Sequence, residues 1–269
     1  MIYQTTQGEE VPALGLGTFD LKGEVGRKAV AHALELGYRH IDTAESYYNE
    51  EAVGQGIQQA TIPREDIFLT TKVGYDKLAP KDVRRSTEES LRKLQTDYID
   101  LLLVHWPNDN IPLEETLDAF AVLREEGKTR HIGVSNFPPA LLQRALDHAE
   151  ILCNQVEYHP FLGQDDLLAL CQEHDLLLTA YSPIAQGKVV DNDTLQEIGE
   201  AHGKSPTQVT LRWLIQQDNV AAIPRTSSAE HRAANFDIFD FSLNGDEMDR
   251  IADLAQGKRL VDPEIAPAW

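Results

Sequence analysis

Short apolar runs alternate with amphipathic helical stretches along the whole chain, and this alternation restricts the fold more than any other feature. The runs occupy residues 13–18, 38–42, 67–71, 99–104, 130–134, 152–157, 176–181 and 220–223. Helical periodicity fills the intervals: residues 26–36, 50–59, 80–94, 113–126, from 138 onward, 165–173, 194–202 and 206–217, then 229–235 and 245–254. A parallel neighbour strand can be reached only by a crossover, so this pattern predicts repeated βαβ units. Eight of them predict an α/β protein closed as a (β/α)8 TIM barrel. The competing arrangement, an open doubly wound sheet, carries G-x-G-x-x-G at its first strand-to-helix turn. Here Gly15-Leu16-Gly17 runs into Thr18-Phe19-Asp20, so that fingerprint is absent. Residues 2–5 and 9–12 flank Gly8 and read as a hairpin placed to plug the N-terminal mouth of the barrel. No linker or low-complexity tract interrupts the pattern, so a single domain is expected over residues 1–269, ending in a loop after Gln256.

Hydrophobic residues make up 42% of the chain, enough for a core that needs no disulfide or metal. Cys153 and Cys171 fit neither a disulfide framework nor a zinc site and are expected to be reduced core thiols. No run of 18 apolar residues occurs, and Met1-Ile2-Tyr3-Gln4-Thr5 lacks the basic and apolar regions of a signal peptide. A cytoplasmic location and a monomeric state are the default expectations. The net charge of −20 disfavours nucleic acid and anionic membrane as partners, because both would repel the chain. That charge fits either adaptation to high salt or a merely acidic protein.

Barrel enzymes place their chemistry at the C-terminal ends of the strands. Those ends carry Asp42, Lys72 and His105, with Tyr47 five residues past Asp42. Singly, a lysine at a strand end is an ordinary solvated cap and a histidine an ordinary structural residue. Four such groups at neighbouring exits suit one reaction. Carbonyl reduction needs a hydride donor on one face and an acid that protonates the developing alkoxide. A phenol with a free pKa of about 10 is a poor acid, and a nearby ammonium lowers that value by favouring the phenolate. Tyr47 would be the acid, Lys72 its tuner and Asp42 the counterion of Lys72. His105 would donate a hydrogen bond that orients the carbonyl. This chemistry requires no metal.

Six segments carry a wider resemblance. Leu14-Gly15-Leu16-Gly17-Thr18, Gly37-Tyr38-Arg39-His40-Ile41-Asp42-Thr43-Ala44 and Leu103-Val104-His105-Trp106-Pro107 resemble those of the aldo-keto reductase family. So do Ile132-Gly133-Val134-Ser135-Asn136-Phe137, Asn154-Gln155-Val156-Glu157 and Thr179-Ala180-Tyr181-Ser182-Pro183. They stand in family order over nearly the whole chain, and the ending Arg259-Leu260-Val261-Asp262-Pro263 is similar to that of the prokaryotic 2,5-diketogluconic acid reductase branch. The resemblance implies an NADPH-dependent reductase of aldehydes, dicarbonyls or keto sugars whose four catalytic residues fall on Asp42, Tyr47, Lys72 and His105. It implies Ser135, Asn136 and Gln155 as partners of the nicotinamide carboxamide, Tyr181 as the ring stacked on the nicotinamide, and Ser182 and Pro183 beside it.

The nucleotide tail is where the family pattern breaks. The family's Ile-Pro-Lys-Ser is Ile223-Pro224-Arg225-Thr226 here, and its following Arg and Glu-Asn are represented by His231-Arg232 and Ala234-Asn235. Arg225 and Thr226 still suit a 2′-phosphate. Arg232 stands one position away from the family's arginine, which turns a helical side chain by about 100°. NADPH is the expected cofactor, with dual use of NADH following if both arginines are ordinary surface charges. Phe19, Tyr48, Trp106 and Trp269 are the candidate walls of the substrate pocket. The competing reading is a nucleotide-binding barrel with a structural or regulatory role, which the retention of all four reactive groups opposes.

Overall fold

The structure, a computed structural model, describes residues 1–268; Trp269, expected to wall the substrate pocket, lies outside the described residues. Strands β1 (Tyr3–Thr6) and β2 (Glu9–Pro12) pair antiparallel, with Tyr3 opposite Pro12 and Thr6 opposite Glu9. Gln7 and Gly8 turn the chain with φ of 49° and 81°, the double positive φ that tight two-residue hairpins require.

The barrel follows, strand and helix alternating up to Tyr181. Its elements are β3 (Leu16–Gly17), α1 (Gly23–Leu36), β4 (His40–Asp42), α2 (Glu50–Gln59), β5 (Phe68–Val73) and α3 (Pro80–Leu94). Then come β6 (Ile99–Val104), α4 (Leu113–Glu125), β7 (Thr129–Ser135), α5 (Pro139–His148), β8 (Cys153–Glu157) and α6 (Asp165–Glu173). β9 (Leu177–Tyr181), α7 (Asp193–His202), α8 (Pro206–Ile215), β10 (Val220–Ala222), α9 (Ala229–Phe236) and α10 (Gly245–Ala252) complete it. Each of β3 to β10 pairs parallel with the next.

Every residue of β5 and β6 is buried, as expected of strands covered by helices outside and by packed side chains within. The surrounding helices turn one face inward; α3 buries Val83, Ser86, Thr87, Ser90 and Leu94. Cys153 and Cys171 are buried free thiols, that of Cys153 pushed up to about 12 by burial. Among the described residues no helix is long and apolar enough to cross a membrane.

The hairpin covers the N-terminal mouth. Val11 is fully buried against Phe68, Leu101, Leu152, Leu177 and Ala221. Gln4 donates to the carbonyls of Ile215 (3.1 Å) and Gln217 (3.0 Å), and Gln7 donates to that of Ile151 (2.8 Å).

The first strand is shorter than its apolar run suggests, because it lies at the seam. Its bonds to β10 are made one residue at a time: Gly15 N–H to Ala222 O at 2.9 Å and Gly17 N–H to Pro224 O at 3.1 Å. The seam is tight, since a Cβ on Gly17 would sit 2.6 Å from the Ile223 carbonyl oxygen. Gly17→Ala is therefore expected to destabilise the barrel by about 1–3 kcal/mol, the usual range for overpacking, in urea unfolding. Gly245→Ala, where a Cβ meets nothing within 4 Å, is the control. Equal midpoints for the two variants would mean that the seam has slack.

Candidate active site

The strand order sets the order of side chains around the C-terminal rim. Asp42 ends β4, Lys72 lies in β5, His105 follows β6, Ser135 ends β7, Gln155 lies in β8 and Tyr181 ends β9. Tyr47 is carried by a single 3-10 turn, Glu45–Tyr47, that sequence periodicity does not reveal.

Two buried polar residues hold that turn. Glu45 accepts from Gly74 N–H (2.7 Å), from Lys77 Nζ (3.0 Å) and from the Ser86 hydroxyl. Asn49 donates to the carbonyls of Thr18 (2.7 Å) and Leu21 (3.0 Å) and accepts from the Thr43 hydroxyl. Tyr48 closes the turn in the left-handed region, φ 54°. Sequence reasoning missed both anchors; their signal is two acceptor-bearing side chains placed two residues either side of Tyr47.

Lys72 and Asp42 form a fully buried pair. Lys72 Nζ donates to Asp42 Oδ1 at 2.6 Å and to Thr43 O at 2.7 Å. The other carboxylate oxygen accepts from Gln155 Nε2 at 2.7 Å. The Tyr47 ring lies 5.2 Å from Lys72 Nζ and meets the His105 ring edge-on at 5.6 Å. Burial pushes the Lys72 ammonium down against the opposing pull of Asp42. Burial, reinforced by the Lys72 charge, pushes the His105 imidazole down to about 3, so it is neutral near pH 7.

The phenol of Tyr47 moves against the sequence expectation. Burial first and the Asp42 carboxylate second hold it above the ordinary tyrosine value. Lys72 is already paired by Asp42, so its field at the phenol is largely cancelled.

The same bonds continue into the expected nicotinamide residues. Ser135 Oγ donates to Gln155 O (2.8 Å), and Asn136 Nδ2 donates to His105 O and Ser135 Oγ (both 3.0 Å). Tyr181 donates to Asn136 Oδ1 at 2.7 Å. Asn154, an apparently costly neighbour of Gln155 inside the strand, donates to Phe137 O at 2.9 Å. Asn136 and Ser182 both sit at positive φ, 64° and 48°, and Pro183 is buried beside them.

At the tail position Arg225 is exposed, and its Nε donates to Phe19 O at 2.9 Å. Thr226 is buried just before α9, whose N-terminus is capped by Ser228. Asn235 is buried in α9. Arg232 is buried as well, donating to Thr226 O (3.2 Å) and His32 Nδ1 (3.3 Å). Of the pocket candidates, Phe19 is exposed and packs edge-on to Tyr47 at 5.1 Å, Tyr48 is the most exposed large hydrophobic side chain among the described residues, and Trp106 is largely buried.

A further buried carboxylate ties down the C-terminal segment. Glu157, at the end of β8, accepts from the N–H groups of Leu260 and Val261 (both 2.9 Å) and lies 3.0 Å from His159 Nε2. Burial raises its carboxyl, but the bonds from His159, Val261 and Leu260 outweigh burial and hold it below the ordinary carboxylate value. A carboxyl depressed on folding contributes fully above its unfolded value and loses that contribution as pH falls through the folded one. Hydrogen-exchange protection of the Leu260 and Val261 amides, corrected for intrinsic rate, is therefore expected to be flat near neutrality and to drop on acidification. Glu157→Gln is expected to flatten that drop, and a drop unchanged in this variant would place the anchor elsewhere.

Comparison with known proteins meets this geometry from outside. Residues 13–256 match the aldo/keto reductase family model. The chain is 39% identical to the methylglyoxal reductase DkgB of Salmonella typhi, covering 96% of this chain and 99% of that one. It is 43% identical to the glyoxal reductase of Bacillus subtilis over 94% of this chain and 92% of that one. A crystal structure of the Bombyx mori aldo-keto reductase in complex with NADP superposes with a TM-score of 0.90 at 36% identity, covering 96% of this chain and 94% of that one. The chain belongs to the aldo/keto reductase family of NAD(P)H-dependent oxidoreductases.

Proposed function

We propose that this protein reduces small aldehydes and ketones, with methylglyoxal-like dicarbonyls and keto sugars as the substrate class, using NADPH and Tyr47 as the proton donor. The single observation that carries the reading is the Tyr47 ring set 5.2 Å from the Nζ of the Asp42-paired Lys72 and 5.6 Å from the His105 ring. The residues at the rim fit a nicotinamide: Ser135, Asn136 and Gln155 are buried polar side chains gathered beside the Tyr181 ring, where a packing role alone would favour apolar groups. When bound, the reduced nicotinamide supplies the hydride.

The chain's own residues do the rest. Tyr47 keeps its proton through the neutral range and can give it to an oxygen that gains charge. Lys72, 5.2 Å from the ring, is the nearest ammonium to the phenolate left behind, and Asp42, which holds it there, offsets much of its field. Neutral His105 presents a hydrogen bond to the carbonyl oxygen. Phe19, Tyr48 and Trp106 wall the approach.

NADPH preference rests on Arg225, on Thr226 and on the N-terminus of α9, a favourable place for a phosphate. Arg232 is engaged with Thr226 and His32, which leaves Arg225 as the main phosphate reader and favours some use of NADH. The names of the methylglyoxal and glyoxal reductases among the relatives support the dicarbonyl class. Adaptation of the −20 surface to high salt is part of the proposal, and it predicts stability that rises from dilute buffer to molar salt.

Oxidation of NADPH and of NADH followed at 340 nm, with methylglyoxal and a keto sugar acid, tests the function. Tyr47→Phe is expected to lower kcat roughly 10²–10⁴-fold, the usual contribution of a general acid, with NADPH affinity nearly unchanged. Arg225→Ala is expected to weaken NADPH and spare NADH. Equal rates in wild type and Tyr47→Phe would remove the assigned acid. Nucleotide binding without turnover across a carbonyl panel would favour a structural or regulatory barrel.

A further inference from the structure

One contact at the site has no part in the reaction as proposed above. Ser46, exposed on the turn just before Tyr47, places its Oγ 3.2 Å from His105 Nδ1. His105 Nε2 has no hydrogen-bond partner among the described residues. A neutral imidazole carries one N–H and one lone pair, and the bond at one nitrogen decides which is which. We infer that Ser46 is a positioning residue that donates its hydroxyl proton to His105 Nδ1, fixing the tautomer in which Nε2–H points at the substrate oxygen. The inference rests on the reductase reading for its purpose and on the Ser46–His105 geometry for its content.

His105 O already accepts from Asn136 Nδ2, so the backbone on which the ring hangs is fixed while the ring's protonation pattern is not. No other side chain or backbone group among the described residues bonds to either ring nitrogen. Ser46 finds no other side-chain partner among them either, so donation to Nδ1 satisfies both groups. The opposite arrangement, with Nδ1–H donating to the serine oxygen, turns the Nε2 lone pair toward a carbonyl oxygen, lone pair against lone pair. Ser46 sits one residue from Tyr47 on the turn that Glu45 anchors, so the proton donor and the group orienting its acceptor are set by the same short segment.

Long-range proton–nitrogen NMR of protein labelled at the histidine ring nitrogens, with His105→Gln for assignment, reads the tautomer without any need for turnover. Wild type is expected to show His105 protonated at Nε2, and Ser46→Ala to show a mixture or a shift toward Nδ1–H. In the 340 nm assay Ser46→Ala is expected to lower kcat for methylglyoxal about 5-fold, the effect of one lost hydrogen bond, with NADPH affinity unchanged. Ser46→Thr, which keeps the hydroxyl, is expected to restore both readouts. A wild-type His105 protonated at Nδ1 would overturn the inference, as would a tautomer that is the same in wild type and Ser46→Ala. Absence of carbonyl turnover in wild type would strike the reductase reading alone, because the tautomer is measured independently of it.

Discussion

The site depends on one carboxylate. Asp42 is buried inside the barrel, and each of its oxygens has a different duty: one holds the ammonium of Lys72, the other accepts from the amide of Gln155. A buried ion pair gains little over an apolar pair of equal volume, but removing one partner leaves a charge stranded out of water, typically at about 3–5 kcal/mol. The pair is thus a poor source of stability and a strict source of position. Its second oxygen holds the Gln155 side chain, and the main-chain carbonyl of the same residue accepts from Ser135, which Asn136 and Tyr181 join in turn. The proposed proton donor and the proposed nicotinamide seat are thereby linked through one residue, Gln155, and its neighbours.

The barrel makes this scaffold affordable by rigidity rather than by strong contacts. Strands β4, β5 and β8 present Asp42, Lys72 and Gln155 from fixed, fully buried backbone, so little side-chain freedom is lost when they meet. Tyr47 and Ser46 come from a loop, and Glu45 and Asn49 give that loop buried polar anchors. The most exposed aromatics among the described residues, Phe19 and Tyr48, border the proposed substrate side, where adaptation to different carbonyls requires freedom.

Much of this was legible in the sequence. Alternation of apolar runs with helical periods is a property of backbone geometry, and it gave the barrel, the hairpin and the strand ends that carry Asp42, Lys72 and His105. The seam strand was read too long, because the run from residue 13 to 18 records burial and not ladder bonds, and Gly15 and Gly17 pair only singly with β10. The direction of the Tyr47 shift was hidden for another reason. Spacing shows that an ammonium is near, but not that Asp42 has already neutralised it or that the phenol is out of water. Glu45, Asn49 and Glu157 were invisible as anchors because their partners, Gly74, Leu21 and Leu260, are distant backbone groups with no side-chain signature. Arg232 illustrates the cost of a one-residue displacement on a helix: its guanidinium turns inward to Thr226 and His32.

If Asp42 couples the two ends, a disturbance at Lys72 must reach the nucleotide through Gln155. A double-mutant cycle of Lys72→Met and Gln155→Leu, read as equilibrium NADPH affinity, measures that directly. The account predicts that Lys72→Met weakens NADPH strongly when Gln155 is present and little in the Gln155→Leu background, a coupling of roughly 1 kcal/mol or more. Additivity to within about 0.5 kcal/mol, the behaviour of independent sites, would contradict the claim that one carboxylate organises both.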